Sequence, residues 1–410
     1  MIPTVKIAFD LSLAGASDFF IIGSTPIGGT ATPDSAPLAG DVFTDVSDYV
    51  RSVSVRRGRS RFTDNFDAGQ ATIVLDNRAR LFDPSAGTAV TPYGPSMLPR
   101  KGVTIDVGGQ LIFTGQVEDF NLDHALGGDS TTTVVAVDGV SLLAGQFVTP
   151  GTATAQATGA RIGAVLSEAA VDWPLERRSI DTGAATLGAD VVADRVDVLA
   201  YLRKVSISEP GRLFMNRAGQ VEFRDRLSAQ TPTGVTFTDD GTGVPFQSIS
   251  RESGSESLYT QVAVTYVTFP GGTATMGTAV ADATSAQVDY GIRKLPIDSL
   301  LPDSGDAQEY ADFLSGMYSR PTDRITGLSV NVDALSAEDK GAVLNRELGD
   351  VIGVTFTPNG IGSAIEQYAV VESIEHSVTP QQHTVSFNLS AVPNVFIIGL
   401  TPIGEGVVGF

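Results

Sequence analysis

Residues 51–77 read RSVSVRRGRSRFTDNFDAGQATIVLDN, and the alternation inside this stretch sets the fold class of the chain. Val53 and Val55 alternate with Ser52 and Ser54, the polar run RRGRSR follows, and Ala71-Thr72-Ile73-Val74-Leu75 climbs back. Successive side chains of an extended chain point to opposite faces, so a period of two gathers the apolar residues on one face. Two such runs around a glycine-containing bend predict the strands of a β-hairpin with a long loop.

Further strands follow outward from this hairpin. Gly102–Val107, a Gly-Gly-Gln turn, Leu111–Val117 and Thr132–Asp138 predict three more. The pattern then returns late in the chain. Ser248-Ile249-Ser250-Arg251-Glu252-Ser253-Gly254-Ser255 resembles Ser52-Val53-Ser54-Val55-Arg56-Arg57-Gly58-Arg59, and Gln261–Val267 is expected to take the part of Ala71–Leu75. Val351–Thr357, Gln367–Ile374 and Thr384–Leu389 mirror the first trio in order and turns.

Between the two copies the period changes. Ile162, Val165, Leu166, Ala169 and Ala170 follow helical spacing, and a second helix is expected from Asp194 with Val198, Tyr201, Leu202 and Val205 on one face. Residues 211–223 predict a hairpin turning at Arg217 to Gly219. Asp306 with Glu309 reads as a capping box for a helix carrying Tyr310, Phe313, Leu314 and Met317, which Pro321 stops. A shorter helix is expected from Ser336 to Leu348, ended by Gly349.

The expected fold is mainly β with an α+β insertion: two related β-barrel domains flanking a small α+β module. The expected divisions are an N-terminal arm over 1–41, a first barrel over 42–150, the module over 151–245, a second barrel with a helical insertion over 246–392, and a C-terminal arm over 393–410.

Each arm carries one copy of FIIGxTPIG, at 20–28 and 396–404, with eight of nine positions identical. Phe20, Ile21, Ile22 and Ile27 match Phe396, Ile397, Ile398 and Ile403. Burying one Phe or Ile side chain is worth about 1.5–3 kcal/mol, so each block gains by lying on an apolar surface. That surface is either its own domain or an equivalent docking site on a partner.

Composition narrows the function. The 410 residues are enough for two to four domains, and a formal charge of −20 opposes tight binding of nucleic acid phosphates. An acidic wall nevertheless suits a channel that nucleic acid crosses without sticking. The absence of cysteine excludes disulfides, thiolate nucleophiles and thiolate metal sites. No apolar run of about 18 residues predicts a membrane span, and MIPTVKIAFD does not read as a signal peptide. With 22 arginines against 5 lysines, the basic residues favour bidentate pairing at protein interfaces.

Catalytic motifs are lacking. The sequence has no H-E-x-x-H, G-x-S-x-G, P-loop or EF-hand pattern. His376 and His383, seven residues apart near Glu372 and Glu375, do not match a tight metal-ligand spacing, and Glu118-Asp119 and Asp239-Asp240 read as turn carboxylates. No catalytic residue, cofactor or metal site is expected. Arg51, Arg56, Arg57, Arg59 and Arg61 instead invert the local charge of an acidic chain. They read either as a solvated loop with ion pairs inside the subunit or as partners for the acidic surface of a neighbouring subunit. The latter makes them interface candidates beside the two FIIGxTPIG blocks. No aromatic residues interleave with them as base stacking would need.

Residues Asp45-Val46-Ser47-Asp48-Tyr49-Val50-Arg51 onward, and Gly69 to Pro84, resemble the opening blocks of minor tail and tail-tip hub proteins of long-tailed (siphovirus-type) bacteriophages, especially of actinobacterial hosts. Ser250 to Glu256, the helix from Asp306 with Tyr318-Ser319-Arg320-Pro321, and Glu347 to Val351 resemble later blocks of the same proteins. The resemblance implies the baseplate-hub superfamily, in which two barrels per chain let a trimer present pseudo-sixfold symmetry. It also implies a structural, non-enzymatic component of the virion tail tip. Such a protein closes the tail tube, joins the distal tail ring protein, the tape measure protein and downstream tip or fibre proteins, and lets DNA pass without specific binding. The competing expectations are a hexameric distal-tail adaptor, a tail-associated cell-wall hydrolase and a carbohydrate-binding adhesin. A single Trp gives the adhesin few sugar-stacking platforms.

Overall fold

The structure, a computed structural model, describes residues 3–9, 42–228, 232–255 and 257–392. Its largest element is a sheet of thirteen strands in which one six-strand pattern occurs twice. In the first unit the spatial order is Val50–Gly58, Asp67–Asp76, Thr131–Val137, Gln110–Asp123, Gly102–Val107 and Pro3–Ile7. In the second it is Ser248–Glu252, Arg324–Asn331, His383–Ala391, Ile365–Val378, Val351–Phe356 and Pro232–Thr238.

The correspondence extends to register. The long strand has 14 residues in both units. It is bulged at the same place, between Val117 and Asp119 in one unit and between Val371 and Ser373 in the other. Ser52, Val53 and Ser54 stand opposite Val74, Ile73 and Thr72, as Ser248, Ile249 and Ser250 stand opposite Ser329, Leu328 and Gly327. The short sequence match between these segments therefore falls on equivalent positions. One strand differs: Pro3–Ile7 runs antiparallel to Gly102–Val107, whereas Pro232–Thr238 runs parallel to Val351–Phe356.

The units share a seam. The second half of the long strand of unit two, Ser373–Val378, pairs antiparallel with Val53–Gly58 of unit one. This corrects the expectation of two separate barrels. The outer edge of Val50–Gly58 is occupied by the other unit, so it is not available to close its own sheet. Among the described residues the strand pairings close neither unit into a barrel.

Three further expectations change. Gln261–Thr268 does not continue the second unit's hairpin; it pairs with Thr275–Asp282 and Lys294–Ile297 in a separate sheet covered by the helix Ser304–Tyr318. Arg324–Asn331 takes the expected place beside Ser248–Glu252. Pro3–Ile7 and Pro232–Thr238 belong to the sheet units rather than to the arm and the module. Helix starts also move: the caps are Asp197, which accepts from Ala200 N, and Asp303, which accepts from Gly305 N and Asp306 N. In both helices the expected apolar faces are the buried ones, apart from Met317, which is only partly buried.

Burial follows the alternation. Val53, Val55, Ala71, Ile73 and Leu75 enter the first unit's core, and Ile325, Leu328, Val385, Phe387 and Leu389 enter the second's. The module 140–223 packs Ile162, Leu166, Leu202 and Phe223 into a third core. The opposite face of the sheet stays accessible and carries Ser54, Thr72, Thr133, Ser377, Ser386 and Asn388.

Candidate assembly site

The arginine stretch lies on the seam. Odd positions of Val50–Gly58 face inward, so alternation buries Arg57 and leaves Arg56 exposed. Arg57 donates through a guanidinium nitrogen to Glu347 Oε1 at 2.6 Å, and Glu347 also accepts from the backbone of Arg217 and Leu348. Arg59 donates through Nε to Glu372 Oε2 at 2.6 Å, while Ser390 Oγ donates to Glu372 Oε1 at 2.5 Å. The Arg59 guanidinium also lies 4.3 Å from the ring centre of Phe66 and 5.2 Å from that of Phe62.

Burial alone raises a carboxylate, but here the neighbouring cations outweigh it. Glu372 is held below its ordinary value because Arg59 and Arg212 more than offset its desolvation. Glu347 is likewise held low by Arg57 against burial. Arg212, fully enclosed, is pushed down to about 10 by burial, partly opposed by Glu372. Buried ions of this kind are stable only as a matched set.

Gly58 fixes how closely the strands approach. Its φ is +114°, and a Cβ there would lie 2.2 Å from the carbonyl oxygen of Glu372. Only glycine fits this backbone against the neighbouring strand.

The partners of Arg57 and Arg59 thus lie in the same chain, as in the first of the two readings of the stretch, although both arginines are buried rather than solvated. Arg51 also finds carboxylates in its own chain, at 2.6 Å in Asp129 and 3.5 Å in Asp76. Arg56 is solvent-facing and stands opposite Glu375 across the seam, and Arg61 is exposed in the bend that follows. The remaining interface candidates, Phe20, Ile21, Ile22, Ile27, Phe396, Ile397, Ile398 and Ile403, lie outside the described residues.

His376 and His383 come together in the second unit, with Nδ1 of one 3.2 Å from Nε2 of the other. Burial pushes both down, His383 to about 4 and His376 well below the ordinary histidine value. Sequence reasoning missed Glu347, Glu372 and Arg212 as members of the seam. Each stands more than 100 residues from its arginine or carbonyl partner, so no local spacing signals them.

No family model and no curated protein sequence matches the chain. Solved structures do. The 43 kDa tail protein of prophage MuSo2 from Shewanella oneidensis superimposes with a TM-score of 0.56 at 13% identity, over 86% of this chain and 95% of that one. A tail protein from Neisseria meningitidis MC58 gives 0.54 at 10% identity, over 85% and 93%. The chain therefore has the fold of phage tail proteins, and the likeness spans nearly the whole of both relatives.

Proposed function

We propose that this chain is a structural subunit of a phage tail tip, a hub protein that assembles as a trimer around a channel. The observation that carries this reading is the doubled six-strand unit within a tail-protein fold. Two equivalent units per chain let three chains present six equivalent positions to a sixfold neighbour. The hub would close the tail tube, meet the distal tail ring and the tape measure protein, and hold downstream tip or fibre proteins.

The accessible face of the thirteen-strand sheet suits the channel wall. It is dominated by hydroxyl and amide side chains, and its exposed cation Arg56 stands opposite Glu375. Among the described residues this surface lacks the arginine and lysine clusters that release counterions on binding phosphate, so DNA slides past it rather than adhering. The FIIGxTPIG blocks are the proposed docking arms toward the neighbouring ring.

Electron microscopy of intact tail tips without imposed symmetry tests the proposal. Three copies around the axis with six units in one ring are expected. Six copies would assign the chain to the distal-tail adaptor, and its absence from the tip would overturn the reading.

A further inference from the structure

Within one chain, unit two passes the outer edge of its long strand to the first strand of unit one. Unit one has the same long strand, and there the corresponding edge is unpaired among the described residues. Residues 118–123 of Gln110–Asp123 pair on one side with Thr131–Val137, and the other side meets no strand among the described residues. At the far end of the sheet, Ser248–Glu252 of unit two pairs, among the described residues, only with Arg324–Asn331. Among the described residues, one chain therefore leaves unpaired both halves of the seam that it makes once internally.

Burial marks the difference. Val53, Val55, His376 and Val378 along the internal seam are at most 3% exposed. Their equivalents Ile249 and Leu122 are only partly covered, and Arg251 and His124 are exposed. Unpaired strand edges are ready templates for another strand.

We propose that the open edge at 118–124 pairs with Ser248–Glu252 of a second copy of this chain, in the register of the internal seam. The register follows from equivalence. The bulges align Glu118 with Glu372 and Asp123 with Ser377. The hairpin pairings align Ser54 with Ser250. Ser377 stands opposite Ser54 inside the chain, so Asp123 stands opposite Ser250 of the next copy. By the same step Asn121 meets Glu252, and Asp119 meets Gly254 where Gly58 meets Ser373. Each chain gives one edge and takes the other. The contact is head-to-tail, and it closes a ring in which every unit has the same two neighbours. The pairing deepens the tail-hub reading by naming its intersubunit surface.

The chain has no cysteine, so introduced thiols report directly on this pairing. Directly opposed residues on antiparallel strands bring their Cβ atoms within disulfide reach. The full-length variant Asp123→Cys with Ser250→Cys is expected to form disulfides between chains under mild oxidation, in a ladder that stops at one closed oligomer. Asp123→Cys with Ser248→Cys, two residues out of register, should link at least about tenfold less. Ser54→Cys with Ser377→Cys should link within the chain and calibrates the efficiency. All five positions are solvent-facing, and each variant's melting curve checks that it folds. A defined oligomer that enters tails without the 123–250 cross-link would overturn the edge pairing and leave the tail reading standing. In-register cross-linking in a chain that never enters tails would support the pairing and overturn the tail reading. A chain that stays monomeric and unlinked at every concentration reached would overturn the pairing.

Discussion

Arg59 and Glu372 are 313 residues apart in the chain and share a 2.6 Å charge-assisted hydrogen bond in the buried wall between the two sheet units. The contact ties the loop after the first strand of unit one to the bulge of the long strand of unit two. Together with Arg57 and Glu347, it makes the seam a structural joint of the folded chain.

Breaking that joint from one side should be costly. Glu372→Gln leaves Arg59 and Arg212 enclosed without their carboxylate, and loss of one partner of a buried pair costs roughly 3–5 kcal/mol. Arg59→Met should cost a similar amount, and the double variant clearly less than the sum. Chemical denaturation of the three variants measures this; single-variant losses under about 1 kcal/mol would mean that the pair is not desolvated.

Gly58→Ala and Gly254→Ala occupy equivalent positions with unequal surroundings. At Gly58 the added Cβ meets backbone at 2.2 Å in a left-handed conformation. At Gly254 it meets only the side chain of Glu252. The first should destabilise the isolated chain by about 2 kcal/mol or more, and the second by less than about 0.5. Equal effects in thermal melts would contradict the seam geometry.

Acid should loosen the second unit from the histidine range downward. His383, depressed to about 4, and His376, depressed well below its ordinary value, bind protons more weakly folded than unfolded. Their contribution is complete above the unfolded value near 6.5 and is lost as pH falls toward 4. Glu347 and Glu372 add losses only below the ordinary carboxylate range, because both are depressed. The slope of stability against pH between 6.5 and 4 should therefore flatten in His383→Asn.

Asp138 has the opposite sign. Burial raises it to about 7, although its carboxylate accepts from the backbone of Gly69 at 2.7 Å and of Val140 at 3.0 Å. Its contribution is complete below the unfolded value near 3.9 and is lost as pH rises through 7. Asp138→Asn should remove that decline, so stability relative to the parent chain rises between pH 5 and 8. A ratio that does not change with pH would show that Asp138 is ionised throughout.

The helix cap gives a simpler check. Asp303→Ala removes the acceptor for two backbone N–H groups and should cost about 1 kcal/mol, whereas Asp306→Ala should cost well under that. The order of the two melting temperatures decides between the caps.

The repeat and its strands are legible in the sequence because alternation is a local property. Ser52-Val53-Ser54 and Ser248-Ile249-Ser250 show the same faces without any knowledge of the fold, and structure places them at the same register. The helical stripes at Val198, Tyr201, Leu202 and Val205 and at Tyr310, Phe313 and Leu314 are legible for the same reason. Their caps were missed because several acidic residues precede each stripe and only backbone geometry selects Asp197 and Asp303.

Strand pairing was not legible where partners are distant. Gln261–Thr268 has the composition of a hairpin partner for Ser248–Glu252, yet Arg324–Asn331 takes that place. A strand's own sequence fixes which face it buries but not which edge it joins. The arginine stretch follows the same division. Its charge and its in–out alternation are written in the chain from Arg51 to Arg61. That Arg57 and Arg59 turn inward onto Glu347 and Glu372, while Arg56 stays on the accessible face, was decided only when the tertiary structure brought strands from the two ends of the chain together. Enclosing a guanidinium requires a carboxylate that no local spacing supplies.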